Sequence, residues 1–180
     1  MNTLTPTQTV GPYFSIGLAW PDAWRVAVDD SGGPRFTLRG QLRDGDGVPV
    51  SDAVLEIWQA DSAGCYHASR VDGFRGAGRC AVDERGCFRF ETVKPGAVVA
   101  PDGSLQAPHI NVLVMARGLL QQLYTRVYFA ADAHLHNSDM VLACVPVARR
   151  ATLTAVANAS NEQVFDIHLQ GAHETVFFEL

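Results

Sequence analysis

The sequence is short of lysine, of charge and of long apolar runs. Of 14 Lys and Arg residues among 180 only Lys94 is a lysine, and 19 Asp and Glu bring the formal net charge to −5. An acidic chain with scattered arginine lacks the positive stripe that sequence-independent nucleic-acid binding needs. No stretch approaches the roughly 20 apolar residues of a membrane-spanning helix. Continuous apolar segments such as Val112-Leu113-Val114-Met115-Ala116 are strand-sized. The four cysteines, Cys65, Cys80, Cys87 and Cys144, form neither C-x-x-C nor a zinc-ligand spacing, so four buried or half-buried free thiols are expected. Residues 1–6 show neither the basic start nor the apolar run of a secretory signal, and a cytoplasmic protein is expected. There is no Gly-x-Ser-x-Gly, no P-loop and no Gly-rich dinucleotide fingerprint, which leaves no triad or nucleotide site to nominate.

What is present is a core-forming chain. A hydrophobic content of 47% against 18% charge excludes intrinsic disorder, and the length fits one domain. The first 35 residues hold Pro6, Pro12, Pro21 and Pro34 and little alternation, which predicts an irregular arm with a helical turn near 22–28. Strand-like runs follow at 36–42, 53–59, 87–93, 109–116, 123–130, 140–147, 164–169 and 174–180. Tight-turn chemistry separates them, as at Asp44-Gly45-Asp46-Gly47 and Lys94-Pro95-Gly96. One helical window, 148–158, stands out. The expected fold is all-β, an antiparallel β-sandwich over 36–180 with few short helices, preceded by an N-terminal arm over 1–35.

Four constellations carry possible chemistry. Asp44-Gly45-Asp46-Gly47 is calcium-like, but positions six and twelve of that loop would be Pro49 and Leu55, so a hairpin turn is expected instead. His134 and His136 form an H-x-H pair, in what reads as a polar loop rather than a metal site. His109 and Asn111 share a strand face, offering one good metal ligand and one poor one; a hydrogen-bonded structural histidine is the other reading. Arg126 lies inside the apolar strand 123–129, between Tyr124 and Tyr128. It is either an internal ion pair or an anion clamp, since its planar fork matches a carboxylate.

Several separate motifs resemble one family. Thr5-Pro6-Thr7-Gln8-Thr9-Val10-Gly11-Pro12-Tyr13-Phe14, Leu55-Glu56-Ile57-Trp58-Gln59-Ala60-Asp61, Gly78-Arg79-Cys80, Thr92-Val93-Lys94-Pro95-Gly96, Ala107-Pro108-His109-Ile110 and Glu174-Thr175-Val176-Phe177-Phe178-Glu179 follow the order and spacing of the intradiol ring-cleaving dioxygenases. Catalytic members of that family hold ferric iron with two tyrosines and two histidines. Here Ala97, Val98 and Val99 follow the Lys-Pro-Gly turn, the loop 67–77 holds no tyrosine, and Asn111 stands at the second histidine position. Of the four ligands only His109 is retained, while Tyr66 matches a tyrosine beside the ligand loop.

The resemblance therefore implies a non-iron, alpha-type chain with no catalytic residue and no metal of its own. It would complete the active site of a homologous beta subunit, whose Fe(3+) activates a catechol toward O2. Protocatechuate would open between its two hydroxylated carbons to 3-carboxy-cis,cis-muconate. The family's substrate-lining positions correspond here to Thr9, Gly11, Pro12 and Tyr13 of the arm and to Arg126. A higher-order alpha–beta oligomer is implied, without membrane or nucleic-acid partners. The competing readings are a non-catalytic β-sandwich binding or structural module, and a self-sufficient homomeric dioxygenase using displaced ligands such as His134 and His136.

Overall fold

A computed structural model describes residues 6–11, 13–28, 32–67 and 73–179. In chain order the elements are α1 (Phe14–Leu18), β1 (Arg35–Arg43), β2 (Ala53–Gln59), β3 (Ala77–Ala81), β4 (Cys87–Val93), β5 (Val98–Val99), β6 (Leu105–Gln106), β7 (His109–Ala116), β8 (Leu123–Phe129), α2 (Met140–Ala143), β9 (Thr154–Ala157), β10 (Glu162–Val164) and β11 (Ile167–His168). Three short 3-10 turns lie at Ala130–Asp132, His136–Ser138 and Val147–Leu153.

The chain is a mostly antiparallel β-sandwich. One face follows the order β3-β2-β7-β8, and β9 carries the ladder on to the other face, where β1 pairs with β4, β10 and β11. Alternation explains the packing. Inward residues of both faces, among them Leu38, Leu55, Ile57, Phe90, Ile110, Val114 and Val127, form one buried cluster. Val26 and Ala27, within the first 35 residues, are fully buried in the same cluster. A second, smaller cluster of Ala107, Tyr128, Leu142, Val145 and Leu153 covers the far side of β8.

Three pairings are parallel: β1 with β10, β1 with β11, and β8 with β9. None requires a long crossover helix. β1 and its parallel partners are far apart in sequence, and the short helical turns after β8 return the chain for β9.

The expected strand at 140–147 is instead a helical turn. Asp139 is an N-cap whose carboxylate accepts from the backbone N–H groups of Val141 and Leu142, which starts α2 in place of a strand. The apolar run there serves to cover β8, not to pair with it. The helical window at 148–158 divides into the 3-10 turn Val147–Leu153 and the strand β9, because Thr and Val follow Leu153. The expected strand at 164–169 breaks at Phe165 and Asp166 into β10 and β11. The expected tail strand is reduced to a bridge between Tyr124 and Phe178, and the last residue of that run lies outside the described residues. No helix forms near 22–28, where a turn leads Val26 and Ala27 into the core, and the short helix of the arm stands instead at Phe14–Leu18. Strand β3 carries Gly78 where its neighbours approach closely and was not legible as a strand.

The turn at Asp44 uses its own carboxylate: Oδ1 accepts from the N–H of Asp46 (3.0 Å) and of Val48 (2.8 Å). All four cysteines are free, but Cys65 and Cys144 are exposed rather than buried, since each sits in a loop or turn outside the sheets. Among the described residues no helix is long and apolar enough to cross a membrane.

Candidate functional site

Strand register builds the site. Trp58 of β2, Asn111 of β7 and Arg126 of β8 stand opposite one another across the sheet, and His109 stands opposite Tyr128. These side chains share the face turned away from the main core. At one end the second cluster covers that face, so His109 and Tyr128 are buried while Asn111 and Arg126 are half-buried.

A directed hydrogen-bond chain runs through the centre. His109 Nδ1–H donates to the Ala107 carbonyl at 2.8 Å. That fixes the tautomer and leaves Nε2 as an acceptor, to which the Tyr66 hydroxyl donates at 3.1 Å. The Tyr66 oxygen in turn accepts from Asn111 Nδ2 at 3.0 Å, and the same amide group donates to the Trp58 carbonyl at 3.2 Å. The Trp58 ring packs on Tyr66 with centroids 4.4 Å apart.

Every member of this chain is neutral at pH 7. Burial, with the Arg126 charge added to it, depresses the His109 imidazole to about 4. Burial also raises the Tyr66 phenol, against the opposing effects of Asn111 and Arg126. Burial pushes Tyr128 up to about 12, and among the described residues its hydroxyl finds no hydrogen-bond partner of good geometry.

The depressed His109 has a consequence for stability. A group whose folded value lies below its unfolded value contributes stability above the unfolded value, and that contribution is lost as pH falls toward the folded value. Between pH 7 and 4.5 the imidazole should therefore cost the fold about 2 kcal/mol. Denaturant melts of the wild type and of His109→Gln at both pH values check this. The variant should lose less stability on acidification, and equal slopes would remove His109 as the cause.

Ferric iron does not fit these residues. The one imidazole lone pair that faces the site is occupied by Tyr66, and Asn111 presents an N–H donor where a ligand would be needed. Among the described residues no group of three or more His, Cys, Asp or Glu converges to hold a metal. His134 is exposed, whereas His136 is half-buried with its ring against Tyr128 at 5.6 Å, so the H-x-H pair does not act as a unit.

Arg126 makes no ion pair among the described residues, so the internal-pair alternative is not what the structure holds. Its Nη1–H donates instead to Gln106 Oε1 at 3.1 Å. The arm lies elsewhere on the chain. Thr9 Oγ1 accepts from the Gly118 N–H (2.9 Å) in the β7–β8 turn, Gly11 accepts from Phe14, and Tyr13 is 77% exposed. Pro12 lies outside the described residues. The fold thus groups Tyr66, His109, Asn111 and Arg126 and leaves Thr9, Gly11 and Tyr13 at a separate place.

Sequence reasoning missed Gln106 and Asp139. Nothing marked Gln106. Asp139 had a signal, an Asp directly before an apolar turn, and it also accepts the Ala107 N–H at 2.9 Å.

A family model described as Dioxygenase matches residues 10–171. The chain is 44% identical to the protocatechuate 3,4-dioxygenase alpha chain of Burkholderia cepacia, over the whole of both chains. It is 31% identical to the protocatechuate 3,4-dioxygenase beta chain of the same organism, over 79% of this chain and 67% of that one. Among solved structures, the dioxygenase domain of a dioxygenase–carbohydrate-binding protein fusion from Streptomyces sp. SirexAA-E superposes with a TM-score of 0.65. It is 27% identical, over 93% of this chain and 100% of that domain.

Proposed function

The chain belongs to the intradiol dioxygenase family, and from that premise we propose that it is the alpha subunit of a protocatechuate 3,4-dioxygenase. It would act with a homologous beta subunit that holds Fe(3+). The observation that carries this reading is the pairing of full-length similarity to an alpha chain with a site whose imidazole is hydrogen-bonded to Tyr66.

Iron on the partner would activate the catechol ring toward O2. This chain contributes charge and shape. Arg126 would pair with the ring carboxylate of protocatechuate through its planar fork. The arm residues Thr9, Gly11, Pro12 and Tyr13 would line a pocket shared with the partner. Within one chain Thr9 sits at the β7–β8 turn while Arg126 lies across from Asn111, as expected of residues that serve a pocket completed between chains. Closing that pocket between subunits would exclude water and strengthen the charge contacts.

Co-expression with a beta-type chain tests the reading. The assembled pair should bind iron and consume O2 with protocatechuate, and this chain purified alone should do neither. Stoichiometric iron on the isolated chain, or an assembled pair inert toward protocatechuate, would overturn it.

A further inference from the structure

Arg126 is half-buried and has no carboxylate in ion-pair contact among the described residues. Its guanidinium donates to the carboxamide oxygen of Gln106 at 3.1 Å, and its cross-strand neighbour is Asn111. The adjacent Asp139 carboxylate is already committed: Oδ1 accepts from the N–H groups of Val141 and Leu142, and Oδ2 from that of Ala107.

Gln106 is itself held in place. It pairs with Val98 in the β5–β6 hairpin. The next residue, Ala107, is clamped at both ends, its N–H by Asp139 and its carbonyl by His109 Nδ1–H. Buried groups on either side thus fix the backbone that carries the amide.

Building on the alpha-subunit reading above, we propose that Gln106 is a positioning residue for substrate recognition. Its neutral oxygen aims the Arg126 guanidinium without cancelling its charge, which stays available to an anionic ring substituent. A carboxylate at 106 would aim the fork as well or better but would occupy the charge. An aliphatic side chain would leave the charge and lose the aim.

Gln106→Glu and Gln106→Leu, each assembled with the beta-type partner, separate these effects. Steady-state turnover of protocatechuate would be measured, with inhibition by 3-hydroxybenzoate and by its uncharged match, 3-hydroxybenzamide. Gln106→Glu should raise KM for protocatechuate and Ki for 3-hydroxybenzoate about tenfold. It should leave kcat and the benzamide Ki within about twofold and keep or raise the melting temperature, because a new ion pair forms. Gln106→Leu should give a smaller rise, and carries the test if the glutamate variant does not assemble.

Equal changes for both inhibitors with a lowered melting temperature would mark a merely structural amide and overturn the proposal. So would Gln106 variants that bind like the wild type. The two readings fail differently. A wild-type assembly without protocatechuate turnover sinks the alpha-subunit reading, whereas wild-type turnover and an Arg126 effect with silent Gln106 variants sink only this one.

Discussion

Arg126→Ala in the assembled enzyme should lower kcat/KM for protocatechuate tenfold or more while sparing a catechol that lacks the carboxylate. The strand presents Tyr124, Arg126 and Tyr128 on one face, and Arg126 has no carboxylate partner of its own among the described residues. Losing a charge-assisted hydrogen bond costs about 1.5–3 kcal/mol, which in a transition state is roughly tenfold to a hundredfold in rate. A substrate without the anion never made that contact. Arg126→Lys should recover part of the loss, because an ammonium keeps the charge and not the fork. Removing the side chain takes from the fold the bond to the Gln106 amide and a charge beside Tyr128 and His109, but no ion pair among the described residues, so the melting temperature should change little. Kinetics on both substrates, with melting of the assembled variant, decides the matter. Equal losses on both substrates would reject the clamp.

Gly40→Ala should destabilise the fold by about 3–5 kcal/mol, in the range reserved for serious steric conflict. Gly40 lies in β1 opposite Phe88. A Cβ there would overlap the Phe165 carbonyl oxygen, and would stand 2.6 Å from the carbonyl carbon and 2.8 Å from Phe88 Cζ. The obstacle on one side is backbone, held by the Phe165 N–H to the Arg39 carbonyl and by Asp166 accepting from the Gln41 N–H. It has no rotamer by which to move away. For a chain of this length such a loss lowers the melting temperature by roughly 10 °C or more. Gly17→Ala is the control, because a Cβ at Gly17 meets nothing within 4 Å. A stable Gly40→Ala would mean that the break between β10 and β11 can widen, which its two hydrogen bonds argue against.

The long alternating segments were legible because each has one face in the core. Strands β1, β2, β4, β7 and β8 fall within a residue of their expected bounds. The region 140–158 was not, because periodicity cannot tell a buried strand from apolar turns laid over a sheet, and the Asp139 cap decides between them only through its side-chain bonds. The site was legible in its residue types. His109, Asn111 and Arg126 were nominated from strand alternation, and the register then put Asn111 opposite Arg126. Neither the hydroxyl that Tyr66 brings to His109 nor the amide that Gln106 brings to Arg126 could be read, because both arrive from outside the β7–β8 pair, where no period links them.

The bond from Tyr66 to His109 makes a metal site costly to install on this chain. Asn111→His alone would restore a second imidazole, yet would leave the first one's lone pair occupied and Tyr66 without its donor. Asn111→His removes a half-buried hydrogen bond for each imidazole it adds. A single substitution at either position therefore falls short of a metal site.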